Sequence, residues 1–176
     1  MAFINLNTVG LKRFQEDIIA LWLAVYTLPP DPETPEEVRA LFPSLIKQSE
    51  YPGFTAVANI EDGKLVGLAT GWPMNEGMRL NLAKSLGENC VWLKDVFLLS
   101  GLAVLPSHQG RGIARDMLGS LFSHTTCSRA LLVTYISQTR AVEIYEKTGW
   151  ENISMKYMAL NKKYYRVMGK SLPERQ

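Results

Sequence analysis

The sequence predicts a mixed α/β fold, and three observations carry the prediction. Segments with apolar residues at helical spacing are interleaved with short apolar or alternating runs. Capping and turn signals fall at the junctions between them. A hydrophobic share of 47% over 176 residues supplies enough apolar surface for a sizeable buried core.

The elements follow in order. "FINL" near the start reads as a short strand. Leu11, Phe14, Ile18, Leu21, Trp22 and Val25 recur at three-and-four spacing and predict one helix over 11–27. "TLPPDPETP" ends it, because proline lacks the amide that a helix needs. Thr34-Pro35-Glu36-Glu37 starts a second helix reaching about Gln48, with Thr34 as cap, Pro35 in the first turn and Glu37 completing a capping box. "FTAVANI" and "LVGLATGW" flank Asp62-Gly63 and predict a hairpin. Residues 73–90 are polar and Gly-bearing, with a short helix expected at 78–86.

"VWLKDVFLLSGLAVL" then reads as one long strand ending at Pro106. A helix is predicted over 112–124, a strand at "ALLVTYI", and a helix over 139–148 that stops at Gly149. "WENI" and "MKYMAL" read as a final strand pair. One domain over residues 1–160 follows, and the weakly patterned residues 161–176 are expected to form a loosely ordered tail. The order is β-α-α-β-β-β-α-β-α-β-β.

A net charge of +2, with 20% charged residues, gives no support to nucleic acid or an acidic membrane as partner. Cys90 and Cys127 are far apart and lack zinc-ligand spacing, so neither a metal nor a disulfide framework is expected. The N-terminus lacks a basic start followed by an apolar run, so no signal peptide is expected and a cytoplasmic location suits the chain.

The chemistry concentrates in "PSHQGRGIARDML", residues 106–118, where a strand runs into a helix. A helix start leaves amides unpartnered, and small residues let a ligand approach them. The peptide dipoles add positive charge, so such a junction suits phosphate or pyrophosphate. The amides of Gln109 to Ala114 are the candidate donors, with Arg111 and Arg115 nearby. The chain has no Gly-Lys-Ser/Thr of a P-loop, and Arg115 occupies the third glycine position of a dinucleotide fingerprint. A tight turn without ligand explains the same residues equally well on their own.

"LAVLPSHQGRGIARDML" resembles the acetyl-CoA motif of the GNAT N-acetyltransferase superfamily, Gln/Arg-x-x-Gly-x-Gly/Ala, here Gln109-Gly110-Arg111-Gly112-Ile113-Ala114. "SQTRAVEIYEKTGWE", residues 137–151, resembles a second family element, Asn-x-x-Ala-x-x-x-Tyr-x-x-x-Gly-Phe. Ala141, Tyr145 and Gly149 match it, Trp150 replaces Phe, and Gln138 replaces Asn.

The resemblance implies a central, mostly antiparallel sheet with strands 4 and 5 splayed and helices on its flanks. It implies acetyl-CoA as co-substrate and no metal, with the acetyl group passing directly to a small-molecule or peptide amine. The pyrophosphate would sit on the loop, and the pantetheine arm on the backbone of Leu102, Ala103 and Val104. An amide near Val104 would stabilise the oxyanion, Gln138 would contact the cofactor, and Tyr145 would be general acid. The strand positions where relatives carry a glutamate hold Leu98 and Gly101, so Asp95 is the residue named as base, ahead of Glu61, Glu76 and Glu88. A homodimer is compatible with the resemblance. Two alternatives accompany this expectation: transfer of a longer acyl group, and a module that holds acyl-CoA without turnover.

Overall fold

A computed structural model of the chain describes residues 2–137, 139–159 and 162–173. Its backbone divides into two compact units, Met1–Trp72 with Ser100–His124 and Pro73–Leu99 with Thr125–Gln176. Among the described residues the fold is mixed α/β with seven strands, mostly antiparallel, flanked by helices.

In the first unit, β1 (Ala2–Asn5) pairs antiparallel with β2 (Thr55–Glu61), and β2 pairs antiparallel with β3 (Lys64–Pro73). Asp62 and Gly63 close the β2–β3 hairpin with φ of 50° and 75°. Two consecutive positive φ values are what a tight hairpin turn demands, so the Asp-Gly signal is realised.

Two helices replace the single one expected over 11–27. Asn7 caps α1 (Thr8–Arg13), its Oδ1 accepting from Gly10 N at 2.9 Å. Phe14, at φ −94° and ψ 16°, ends α1 and precedes α2 (Gln15–Tyr26). The α3 helix (Pro35–Gln48) starts as predicted: Thr34 N donates to Glu37 Oε2 at 2.8 Å, and Glu37 N donates to Thr34 Oγ1 at 3.2 Å. Leu11, Ile18, Leu21, Val38, Phe42 and Leu45 from these helices pack on Ala56, Ala58 and Leu68 of the strands. Burying each large side chain contributes about 1.5–3 kcal/mol.

The α5 helix (Ile113–Phe122) buries Ile113, Met117, Leu118 and Leu121 and packs against β2. Gly67 on β3 makes room for it, since a Cβ there would lie 2.9 Å from Met117 Cε.

In the second unit, the first half of β4 (Val96–Val104) pairs in parallel with β5 (Arg129–Tyr135), from Val96↔Arg129 to Leu99↔Leu132. The strand expected from residue 91 therefore begins late. Val91–Leu93 form a 3-10 turn, and Asp95 has φ 51°, which extended backbone does not accommodate. The predicted helix of residues 73–90 is α4 (Glu76–Leu86), capped by Asn75, whose Oδ1 accepts from Met78 N at 2.9 Å.

The C-terminal region corrects two expectations. "WENI" and "MKYMAL" are not a strand pair: residues 151–153 of the first and 155–158 of the second lie along one strand, β6 (Glu151–Met158). Its partner is β7 (Tyr164–Ser171), which also pairs antiparallel with β5. Residues 164–171 are thus a strand bonded on both sides, not a loose tail. Trp92 fixes this strand closely: a Cβ on Gly169 would lie 2.6 Å from Trp92 Cε3.

Candidate active site

The loop after β4 is built from short local interactions. Leu105 N donates to Val66 O at 2.9 Å, and Gln109 Nε2 donates back to Val104 O at 3.0 Å. Gln109 therefore contributes its side chain to the strand end and not to the loop opening. Gly110 and Gly112 follow with φ of 79° and 80°. Glycine enters this left-handed region at little cost, whereas a residue with Cβ loses roughly 1–2 kcal/mol.

Gly112 is the N-cap of α5 and offers no capping side chain. The first amide bonded back into the helix is Asp116 N, to Gly112 O at 3.0 Å. Ile113, Ala114 and Arg115 thus present first-turn amides that the helix itself cannot pair. A Cβ on Gly112 would come closest to the flexible tip of Arg115, Nη2 at 3.2 Å, with Asp116 Oδ2 at 4.0 Å. Packing does not demand this glycine; the backbone angle does, and its missing side chain keeps the amides approachable.

Charge around the loop is organised by Glu61, at the end of β2. Glu61 Oε2 lies 3.3 Å from Arg111 Nη1 and 3.5 Å from His108 Nε2. Its side chain is 20% exposed, against 49% for Arg111. Arg115 is more open, with Nε 3.2 Å from Asp116 Oδ1. Of the strand residues expected to carry the pantetheine arm, Ala103 and Val104 are buried and Leu102 is half-buried.

Tyr145 stands on α6 (Arg140–Lys147) in the second unit. Thr139 caps that helix, accepting from Val142 N at 3.2 Å, and Gly149 ends it with φ 84°. Tyr145 is 7% exposed, and its ring meets that of Trp150 edge-on at 5.6 Å. Burial pushes the phenol well above its ordinary pKa, because the phenolate would lose its hydration. The side chain therefore stays protonated at neutral pH, as a proton donor must.

Asp95 is exposed and holds the start of the β4–β5 ladder. Its Oδ2 accepts from Ser128 N at 2.8 Å, and its carbonyl accepts from Arg129 N at 3.3 Å. Hydrogen bonding from Ser128, with Arg129 nearby, draws the carboxyl below its ordinary pKa and makes it a weaker base. Glu76 is ion-paired to Arg79 at 2.6 Å. Gln138, expected to contact the cofactor, lies outside the described residues.

Two further polar groups were not singled out in the sequence. Arg166 on β7 is 5% exposed; Nη2 donates to Ile136 O at 2.8 Å and Nη1 to Asn152 Oδ1 at 3.2 Å, with Glu146 Oε1 at 3.5 Å. Ser100 on β4 hydrogen bonds to Thr70 on β3. For Ser100 a signal existed, a lone hydroxyl inside "VFLLSGLAV".

The family model of the acetyltransferase (GNAT) family matches residues 16–150, a span that holds both motifs. The chain belongs to the GNAT family. It is accordingly an acetyl-CoA-dependent N-acetyltransferase. No curated protein sequence matches the chain.

Solved structures share the GNAT fold at low identity. Aminoglycoside 6'-acetyltransferase type Ii is similar at TM-score 0.67 and 17% identity, covering 100% of both chains. PaiA N-acetyltransferase from Thermoplasma acidophilum, solved with coenzyme A, is similar at TM-score 0.66 and 13% identity, covering 98% of this chain and 100% of its own. The ribosomal-protein-S18-alanine N-acetyltransferase from Escherichia coli is similar at TM-score 0.62 and 15% identity, covering 99% and 96%. Among the described residues, no helix of this GNAT protein is long and apolar enough to cross a membrane.

Proposed function

We propose that this GNAT protein transfers the acetyl group of acetyl-CoA to a primary amine by direct attack, with no covalent enzyme intermediate. The pyrophosphate rests on the amides from Gly110 to Ala114, with Arg111 and Arg115 beside it. The pantetheine arm adds to the backbone of Leu102, Ala103 and Val104 like a short strand. The amine nitrogen bonds to the thioester carbonyl carbon, an amide near Val104 steadies the oxyanion, and the C–S bond then breaks. The electron pair leaves on sulfur, and Tyr145 supplies its proton. The base is not assigned to Asp95, whose carboxylate is occupied at the strand start.

One observation carries this reading: two left-handed glycines, Gly110 and Gly112, lead from the loop after β4 into the first turn of α5. That arrangement is an anion cradle by its donors and by its dipole. Isothermal titration with acetyl-CoA tests it, using wild type, Gly112→Ala and Gly112→Asp. Wild type binds, Gly112→Ala weakens binding, and Gly112→Asp abolishes it through bulk and charge. Equal affinity in a folded Gly112→Asp protein removes the loop from the cofactor site.

A further inference from the structure

β4 is buried over its first four residues and at its end, yet Ser100 in its middle is exposed. Ser100 Oγ lies 2.9 Å from Thr70 Oγ1, and Thr70 itself is 4% exposed. The following residue is Gly101, where a Cβ would stand 2.9 Å from Thr70 Oγ1. A side chain at 101 would displace the Thr70 hydroxyl. Buried threonine, side-chain-free glycine and open serine form one local arrangement within the first unit.

The cofactor reading sets an order along this strand. Pyrophosphate lies beyond Val104 and the pantetheine arm runs back past Ala103 to Leu102. The reactive end of the arm then points toward Ser100, about 7 Å further along at the usual strand rise. We infer that Ser100 receives the acceptor amine, and that the acceptor is a weakly basic primary amine, of the peptide α-amine class, taken up in its neutral form. The inference rests on the acetyl-CoA reading above.

The chemistry follows from the hydroxyl. It has one proton and two lone pairs, so whichever of Ser100 and Thr70 donates, Ser100 keeps a lone pair for an incoming N–H. That contact orients the nitrogen with its own lone pair free to attack. Serine is neither charged nor basic at neutral pH, so it does not strip a proton from an ammonium. The amine must arrive neutral. A peptide α-amine titrates near 8 and a lysine ε-amine near 10.4, so at pH 7.5 their neutral fractions differ by about 200-fold. After attack, the tetrahedral nitrogen gives up one proton to solvent, the departing thiolate takes its proton from Tyr145, and solvent returns a proton to the phenol.

Two peptides test the inference with the full-length enzyme, one with a free α-amine and no lysine, the other α-blocked with one lysine. Acetylation is followed by coenzyme A thiol release across pH. The α-amine peptide is favoured on the order of 100-fold in kcat/KM at pH 7.5, and the rising pH limb moves with the acceptor. Ser100→Ala raises KM for the α-amine about 5- to 10-fold and leaves KM for acetyl-CoA unchanged. Thr70→Val, which keeps the shape, gives a smaller rise of the same kind. An unchanged amine KM in Ser100→Ala, a pH limb common to both acceptors, or preference for lysine overturns the inference. Acetyl-CoA binding without turnover of either peptide overturns the acceptor class alone. Failure to bind acetyl-CoA overturns the cofactor reading and takes this inference with it.

Discussion

Glu61 Oε2 lies 3.3 Å from Arg111 Nη1, so the end of a hairpin strand holds a side chain of the loop that binds phosphate by our proposal. An anion is placed beside a site for anions. Two effects oppose each other there: the pair steadies Arg111, and the carboxylate repels pyrophosphate.

The charge effect should win, because a partly exposed pair holds its partners by only about 0–1 kcal/mol. Glu61→Gln keeps an acceptor for Arg111 and removes the charge. Acetyl-CoA should bind about threefold tighter at low ionic strength, with the gain shrinking as salt screens it. Titration calorimetry at two salt concentrations checks this. Weaker binding at both would mean that holding Arg111 matters more than the repulsion.

Tyr145→Phe should lower kcat by about 100-fold or more while KM for acetyl-CoA changes little, since general acids contribute roughly that much. The raised phenol pKa adds a stability consequence. Below pH 10 both folded and unfolded chains keep the proton, and stability is unaffected. Above the ordinary value near 10 the unfolded chain ionises first, so stability falls as pH rises. Thermal melts from pH 8 to 11 should show that alkaline loss, reduced in Tyr145→Phe. Identical alkaline limbs would contradict the burial of the hydroxyl.

Asp95 has the opposite sign. Its carboxyl is drawn below its ordinary value, so its contribution is present above about pH 4 and is lost as pH falls. Asp95→Asn keeps a residue that tolerates the left-handed backbone but removes the charge. Acid unfolding should become slightly less steep with pH, and kcat at pH 8 should stay within about twofold of wild type. A loss of 100-fold in kcat would restore Asp95 as the base.

Arg166 joins the residue that follows β5, Ile136, to α6 and β6 through one guanidinium. Arg166→Met leaves the Ile136 carbonyl and the Asn152 amide without this donor, and should cost about 3 kcal/mol in urea unfolding. Arg166→Lys should recover part of the loss. If both variants melt like wild type, the buried bonds contribute nothing net.

Much of the fold could be read from short signals that act locally. The Thr34–Glu37 box set the start of α3, and Asp62-Gly63 set the hairpin, because caps and tight turns depend on neighbouring residues alone. The break at Phe14 had no glycine or proline at that residue to announce it. β7 was hidden because Arg166, Gly169 and Lys170 spoil its pattern, and each is accommodated only by tertiary partners: Ile136 and Asn152, Trp92, and Thr148. The loop glycines were legible because their backbone angle restricts the residue type. Ser100 was visible as an odd residue but gained meaning only with Thr70, 30 residues away in sequence.

β7 carries a consequence for biosynthesis. It lies between β5 and β6, yet a ribosome makes it after both. Until residue 171 has emerged, β5 and β6 each present an open edge with unpaired backbone groups, the kind of surface that recruits stray strands. A nascent chain stalled before residue 164 would display both edges at once, so a pause ahead of β7 should favour aggregation over folding.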